Sequence, residues 1–354
     1  MYISQLPSIP LDELFKNYST KLDLSYSSTF KGDITFGHLG SNGLDKFTNY
    51  TGPKYKLPNF VFKIPEGIFI GGAYNIFSLK DSVKFHHFCI DHAHNTNHDW
   101  LGYFEQHHNQ MIPSDLLRFK GRTLLLKGTW SEAFYHFITE TLAKIFVAQK
   151  EFDLNSFDQI IVSSPHMSYV KQWLQLLGIN STKIIDVPAH QAVISDELYV
   201  PTYLQMCGFT SLELIEWLNT RVPESAIINP ALEGAQKIYI SRSGSRRLLN
   251  EAELKKPLIE AGYKIVQLEK LPILDQILLL KNARSVIAPH GAGLSNLVFS
   301  HGKILELVGK GYNNTCFADI SLHTKSDYQY LVCDESQSNI IAPEPIFKDY
   351  LLNE

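Results

Sequence analysis

Cysteine is scarce in this chain: four residues, Cys89, Cys207, Cys316 and Cys333, are spread over 354 positions with no CxxC pair. That density excludes a disulfide scaffold and reads as a reduced protein. Long hydrophobic runs are missing too, since none approaches the ~20 residues that span a bilayer. The opening MYISQLPSIPLDELF lacks both the basic stretch and the apolar core of a secretory leader. Together these absences predict a cytoplasmic protein. Basic excess is also lacking: the net charge is −4, which argues against a nucleic-acid binder that works by neutralising phosphates. No GxxxxGK[ST] stretch or kinase signature occurs, so phosphoryl transfer from ATP is not expected. What is present is 44% hydrophobic and 19% charged residues, the balance of a globular protein long enough for two domains.

In chain order, residues 1–60 are rich in Ser, Thr, Asn, Gly and Tyr and predict irregular structure. Pro58 to Leu79 alternates as strands do, with Pro65-Glu66-Gly67 as a hairpin turn. The next stretch holds seven of the 14 histidines, His86, His87, His92, His94, His98, His107 and His108. Their spacing matches no HExxH or zinc-finger pattern, so a solvent-facing loop or acceptor-site wall is favoured over a metal site.

A strand at Arg122–Lys127 precedes TWSEAFYHFITETLAKI, where Phe134, Phe137, Ile138, Leu142, Ile145 and Phe146 form one apolar helical face. His136 and Glu140 are one turn apart on the side away from that stripe. The residues alone favour an exposed pair that steadies the helix; the alternative is an imidazole–carboxylate pair facing a cleft as base and orienter. Phe157–Ser163, Tyr169–Gly178 and Lys183–Pro188 read as β-α-β, so the first half holds an α/β domain as well. The domains are placed at residues 1–195, with a β-rich N-terminal part, and 196–335. A tail at 336–354 is expected to pack back on the first domain.

From Lys237 to Gly309 the pattern is strand (KIYIS), helix (Asn250 to Ala261), strand (KIVQL), helix (Pro272 to Asn282), strand (SVIAP), the turn HGAGLSN, a short helix and strand (KILELV). That alternation predicts βαβ units and a parallel sheet. Asn250 with Glu253 suggests a capping box, and Gly262 stands where a helix-ending glycine belongs. Ligands of such sheets bind beyond the carboxyl ends of the strands, and there the chain places Arg242, Arg246 and Arg247, Glu269, and His290, Gly291 and Gly293. The glycine turn before a helix suits a phosphate, and guanidinium groups suit a diphosphate. Glu306 inside the last strand is costly to bury, and either a ribose diol or a buried arginine would account for it.

YISRSGSRRLLNEAEL, LEKLPILDQILLLKNARSVIAPHGAGLSNLVF and KILELV resemble the C-terminal signature of glycosyltransferase family 61, and TWSEAFYHFITETLAKI resembles its upstream W-x-x-x-Y-H-x-x-x-E segment. The resemblance implies a GT-B-like α/β fold, two Rossmann-like domains facing each other across a cleft. It implies an inverting transfer of a sugar from a nucleotide-sugar, UDP-linked by preference, to a glycan or lipid-linked saccharide in surface polysaccharide or lipopolysaccharide synthesis. On that reading Arg242, Arg246, His290, Gly291, Ala292, Gly293, Asn296 and Glu306 bind the donor, Glu306 through the ribose and His290 near the leaving group. His136 or Glu140 serves as the base. No Asp-x-Asp occurs, so no metal and no cofactor beyond the donor are expected, and a peripheral membrane contact stays open. The competing readings are a nucleotide-sugar-binding pseudoenzyme or scaffold and a metal-dependent hydrolase using the histidine-rich segment.

Overall fold

The computed structural model describes residues 37–38, 60–71, 75–78, 80–81, 83–84, 115–205, 208–311 and 314–353. The histidine-rich stretch lies outside them. The described residues divide into two compact units, one holding 60–205 and the other 37–38 with 208–353.

The first unit is built on a mixed sheet. Strand Val61–Ile70 pairs antiparallel with Asn75–Ser78 on one side and with Ala192–Pro201 on the other. Beyond Ala192–Pro201 the sheet is parallel, through Leu117–Leu125, Gln159–Ile161 and Ile184–Ile185. The junction, expected within twenty residues of 195, comes after strand Ala192–Pro201, where the second unit takes over at Gly208. Pro65-Glu66-Gly67 is not a hairpin turn: the strand runs through it with its register to Ala192–Pro201 unchanged. Glu66 takes a left-handed φ of 49°, and the inward face changes there. Phe62 and Ile64 before it share a core with Phe69 after it, whereas Ile68 and Ile70 join a second cluster. A Cβ added at Gly67 would lie 2.6 Å from Leu198 Cβ, so close packing on the neighbouring strand, and not a reversal of the chain, accounts for that glycine. Strand Leu117–Leu125 shifts register between Phe119 and Arg122. Asp196 ties that shift down, accepting from the Gly121 N–H at 3.0 Å and from Arg118 at 2.8 Å.

The second unit carries the parallel sheet expected from the alternation. Its strands run Lys264–Val266, Lys237–Ile240, Ser285–Pro289, Lys303–Gly309 and Asp327–Ser336, with Gly37–His38 outermost and Asn339–Ile341 antiparallel to the last long strand. Numbered along the chain from Lys237, the five main strands lie in the order 2-1-3-4-5, one of the two common doubly wound orders. Helix Glu251–Glu260 ends at Gly262, left-handed at φ 84°, as expected. Its start differs from a capping box. The Asn250 side chain bonds both ways to the Ala342 backbone, at 2.9 and 3.1 Å, and so anchors the tail instead of the helix. Helix Glu344–Asn353 packs on this unit and not on the first: Phe347 and Leu351 share a core with Tyr239, Leu254, Ile287 and Leu305. Burying those two side chains contributes roughly 1.5–3 kcal/mol each. Among the described residues no helix is long and apolar enough to cross a membrane.

Candidate functional site

In a 2-1-3-4-5 sheet the strand order reverses between the first and third strands, and the crevice beyond their carboxyl ends is where ligands settle. Here those ends carry Arg242, two residues past Ile240, and His290-Gly291, directly past Pro289. The arginine lies across the glycine. A Cβ on Gly291 would sit 1.3 Å from Arg242 Nη1, and that nitrogen reaches the His290 carbonyl at 3.4 Å. Gly291 is extended, with φ 171° and ψ 165°, so the glycine is required by space and not by backbone angle. Arg242 Nε donates to the Ser245 carbonyl at 2.5 Å, which steadies the loop after the strand. The turn leads into a 3-10 helix, Ala292–Phe299, rather than an α-helix. The Leu294 N–H closes onto the Gly291 carbonyl at 2.9 Å, and the start of such a helix suits an anion.

The remaining donor-side residues separate by burial. Asn296 is fully buried and gives its amide N–H groups to Gln276 at 3.0 Å and to the Gly293 carbonyl at 3.2 Å. Those bonds hold the shape of the turn, while its side-chain oxygen is buried with no hydrogen-bond partner among the described residues. Arg246 adopts φ 59° and bonds through its backbone N–H to the Ser338 carbonyl at 3.0 Å, within the turn that meets the tail hairpin. Glu306, 1% exposed, is the carboxylate whose burial needed a reason. One oxygen is hydrogen-bonded to His290 Nδ1 and the other accepts from the Tyr328 hydroxyl. Imidazole and phenol, rather than the arginine that the sequence offered as one alternative, are therefore its protein partners. Burial, and then the Glu306 charge, raises the Tyr328 pKa well above its ordinary value, so the phenol stays a donor to the carboxylate. Sequence reasoning missed Tyr328 because its pairing partner lies on the neighbouring strand, and only the parallel register brings the two together.

The first unit offers a second constellation. Its parallel strands reverse order between Leu117–Leu125 and Ala192–Pro201, and the segments past their ends meet: a Cβ on Gly128 would lie 2.2 Å from the Tyr203 hydroxyl and 3.2 Å from Lys144 Nζ. Lys144 is buried, its ammonium 3.9 Å from the Tyr203 ring centre. The expected helix begins with Phe134–His136 but widens into a π-helical turn over Phe137–Thr141 before Leu142–Gln149 continues as α-helix. Such single widened turns are frequent at functional sites. Glu140 sits on it and His136 directly before it, His136 Nδ1 and Glu140 Oε1 2.7 Å apart. The pair is not solvent-exposed: the Glu140 side chain is 6% accessible and that of His136 16%. Glu140 Oε2 is buried with no hydrogen-bond partner among the described residues, a costly state unless a proton or a ligand group meets it. A carboxylate on Nδ1 selects the tautomer in which Nε2 is the basic nitrogen. Among the described residues no group of three or more His, Cys, Asp and Glu is placed to hold a metal.

A mixed α/β chain with an arginine–glycine turn at one sheet switch point and an imidazole–carboxylate pair at the other fits the glycosyltransferase class. Residues 134–304 match the family model described as Glycosyltransferase 61. The match supports the resemblance seen in the motifs: over this stretch the chain is similar to family 61 glycosyltransferases, and a glycosyltransferase takes a donor and an acceptor. The match takes in His136, Glu140, Arg242 and the glycine turn, and stops before Glu306. No curated protein matches the chain.

Proposed function

We propose that this protein is an inverting, metal-independent glycosyltransferase that moves a sugar from a nucleotide-sugar, UDP-linked by preference, to a hydroxyl of a glycan or lipid-linked saccharide. The observation that carries it is the Arg242 guanidinium laid across Gly291 at the switch point of the parallel sheet, a fixed cation beside backbone N–H groups where a diphosphate belongs. The GT-B-like arrangement implied by the motifs and a role in surface polysaccharide or lipopolysaccharide synthesis belong to the same reading.

In this mechanism His136 Nε2 takes the proton of the acceptor hydroxyl while Glu140 holds the imidazole and stabilises its charged form. The acceptor oxygen attacks C1 of the donor sugar from the face opposite the diphosphate. The bond from C1 to the phosphate oxygen breaks, and its electron pair leaves with the nucleoside diphosphate. Arg242 and the N–H groups of the turn meet the charge that develops there. Glu306 and Tyr328 hold His290 beside the leaving group.

The test is a thermal-shift screen of nucleoside diphosphates and nucleotide-sugars with EDTA and with Mn²⁺, with Arg242→Ala as control. A ligand at 100 times its Kd adds about 2.7 kcal/mol of stability. One nucleotide family that raises the melting temperature regardless of EDTA, and fails to do so in the variant, supports the donor site. Silence toward every nucleotide with a response to metal alone sinks it.

A further inference from the structure

Trp130 stands at a position where two physical terms oppose it. Its backbone is left-handed at φ 55°, a conformation that glycine or asparagine adopts cheaply and a bulky residue rarely. The residue is 41% exposed, where solvent favours a polar side chain. The turn that imposes this conformation is tightly made. Ser131 N–H bonds to the Gly128 carbonyl at 3.2 Å, the Ser131 hydroxyl to the same carbonyl at 2.7 Å, and the Gly128 N–H to the Ser131 hydroxyl at 3.0 Å. Ala133 N–H closes on the Trp130 carbonyl at 2.8 Å. The indole is thus presented on a rigid base, and its ring centre lies 5.5 Å from that of His136. Behind that imidazole is the buried carboxylate oxygen of Glu140 that lacks a partner among the described residues. Backbone strain held at a defined turn points to function when something compensates for it.

We infer that Trp130 is the platform on which the ring of the acceptor saccharide stacks, the apolar C–H face of a pyranose lying on the indole with one hydroxyl delivered to His136. The inference rests on the reading of His136 and Glu140 as the acceptor-side base pair, and Trp130 itself lies outside the stretch matched to the family. An indole offers a large, stiff, apolar face at little cost in rotamer freedom, which suits a ligand whose polar edge must remain free for a base. Stacking recognises the ring and leaves selection of the attacking hydroxyl to its distance from His136. The acceptor class is therefore a pyranoside, not a peptide hydroxyl or a flexible lipid alcohol.

The experiment uses the full chain with saturation-transfer-difference NMR against a panel of defined disaccharides ending in hexopyranose or pentopyranose rings. Three variants are compared: Trp130→Gly, which suits the left-handed backbone but removes the ring, Trp130→Phe, which keeps a smaller ring, and His136→Ala. Expected is saturation of the C–H protons of one ring face and an affinity at least about tenfold weaker in Trp130→Gly, partly recovered in Trp130→Phe. Binding persists in His136→Ala, and the thermal shift by nucleoside diphosphate is unchanged in all three. The proposal is overturned if no pyranoside in the panel receives saturation from the wild-type protein. It is equally overturned if Trp130→Gly binds as the wild type does, or if that variant loses its melting transition together with the diphosphate shift, which would assign Trp130 to folding. Absence of any diphosphate shift in the wild-type protein is a separate failure, that of the transferase reading itself.

Discussion

The two units each hold a histidine against a glutamate, and the two pairs are built in opposite ways. His290–Glu306 is closed: it sits between parallel strands, the carboxylate has two protein donors, and the glutamate is 1% exposed. His136–Glu140 is open: it spans the start of a π-helical turn, the imidazole is partly accessible, and one carboxylate oxygen has no hydrogen-bond partner among the described residues. A satisfied carboxylate fixes the geometry of its neighbour. An unsatisfied one stores a cost that a reacting group relieves. The contrast assigns the first pair to holding and the second to chemistry, although their residue types are the same.

The sharpest way to break that contrast is His136→Ala. Loss of a general base lowers kcat by about 10²–10⁴, and the melting temperature should move little because the side chain is not in the core. Steady-state transfer assays beside a thermal melt decide it, and a fall in stability without a fall in kcat would reverse the assignment. Glu306→Ala should act mainly on stability. Removing the acceptor takes from the buried imidazole and phenol their bonds to the carboxylate, a loss of about 3 kcal/mol measurable by urea unfolding. Gly291→Ala comes next: the added methyl must expel Arg242 or shift the turn, costing about 1–3 kcal/mol. The thermal shift by nucleoside diphosphate should disappear with it.

Tyr328→Phe is milder, near ~1 kcal/mol for one hydrogen bond. It should lower kcat more than it raises the donor KM if the tyrosine acts through Glu306 and His290. The smallest effect concerns Cys333, buried in the core of the same unit. Burial, and then the charge of Asp334, pushes its thiol up to about 12 from 9.0. The native state then keeps a proton that the unfolded chain releases, so stability from this group is full below pH 9 and falls as pH rises toward 12. Iodoacetamide at a pH of about 8 should leave Cys333 unlabelled in the folded protein and modify it in urea.

Much of the second unit was legible along the chain. Strands from KIYIS to KILELV, the glycine after Glu251–Glu260 and the placing of Arg242 and Gly291 past strand ends all follow from local periodicity and turn chemistry. Asn250 misled because its side chain serves the tail, 92 positions away, and a capping pattern cannot reveal a distant competitor for the same amide. Pro65-Glu66-Gly67 misled for a related reason. Its turn-like composition answers a change of inward face within one continuous strand, not a reversal of the chain.

The motif order by itself determined which family the chain resembles and which residue types gather past the strand ends, because hydrophobic period and glycine placement are local properties. Only the tertiary structure decided what each residue does there. Whether Glu306 meets an arginine or a tyrosine depends on the register of parallel strands, and whether Glu140 faces water or the interior depends on one widened helical turn. Trp130 makes the same point: its exposure and its nearness to His136 arise from a tight turn whose left-handed member no periodicity marks.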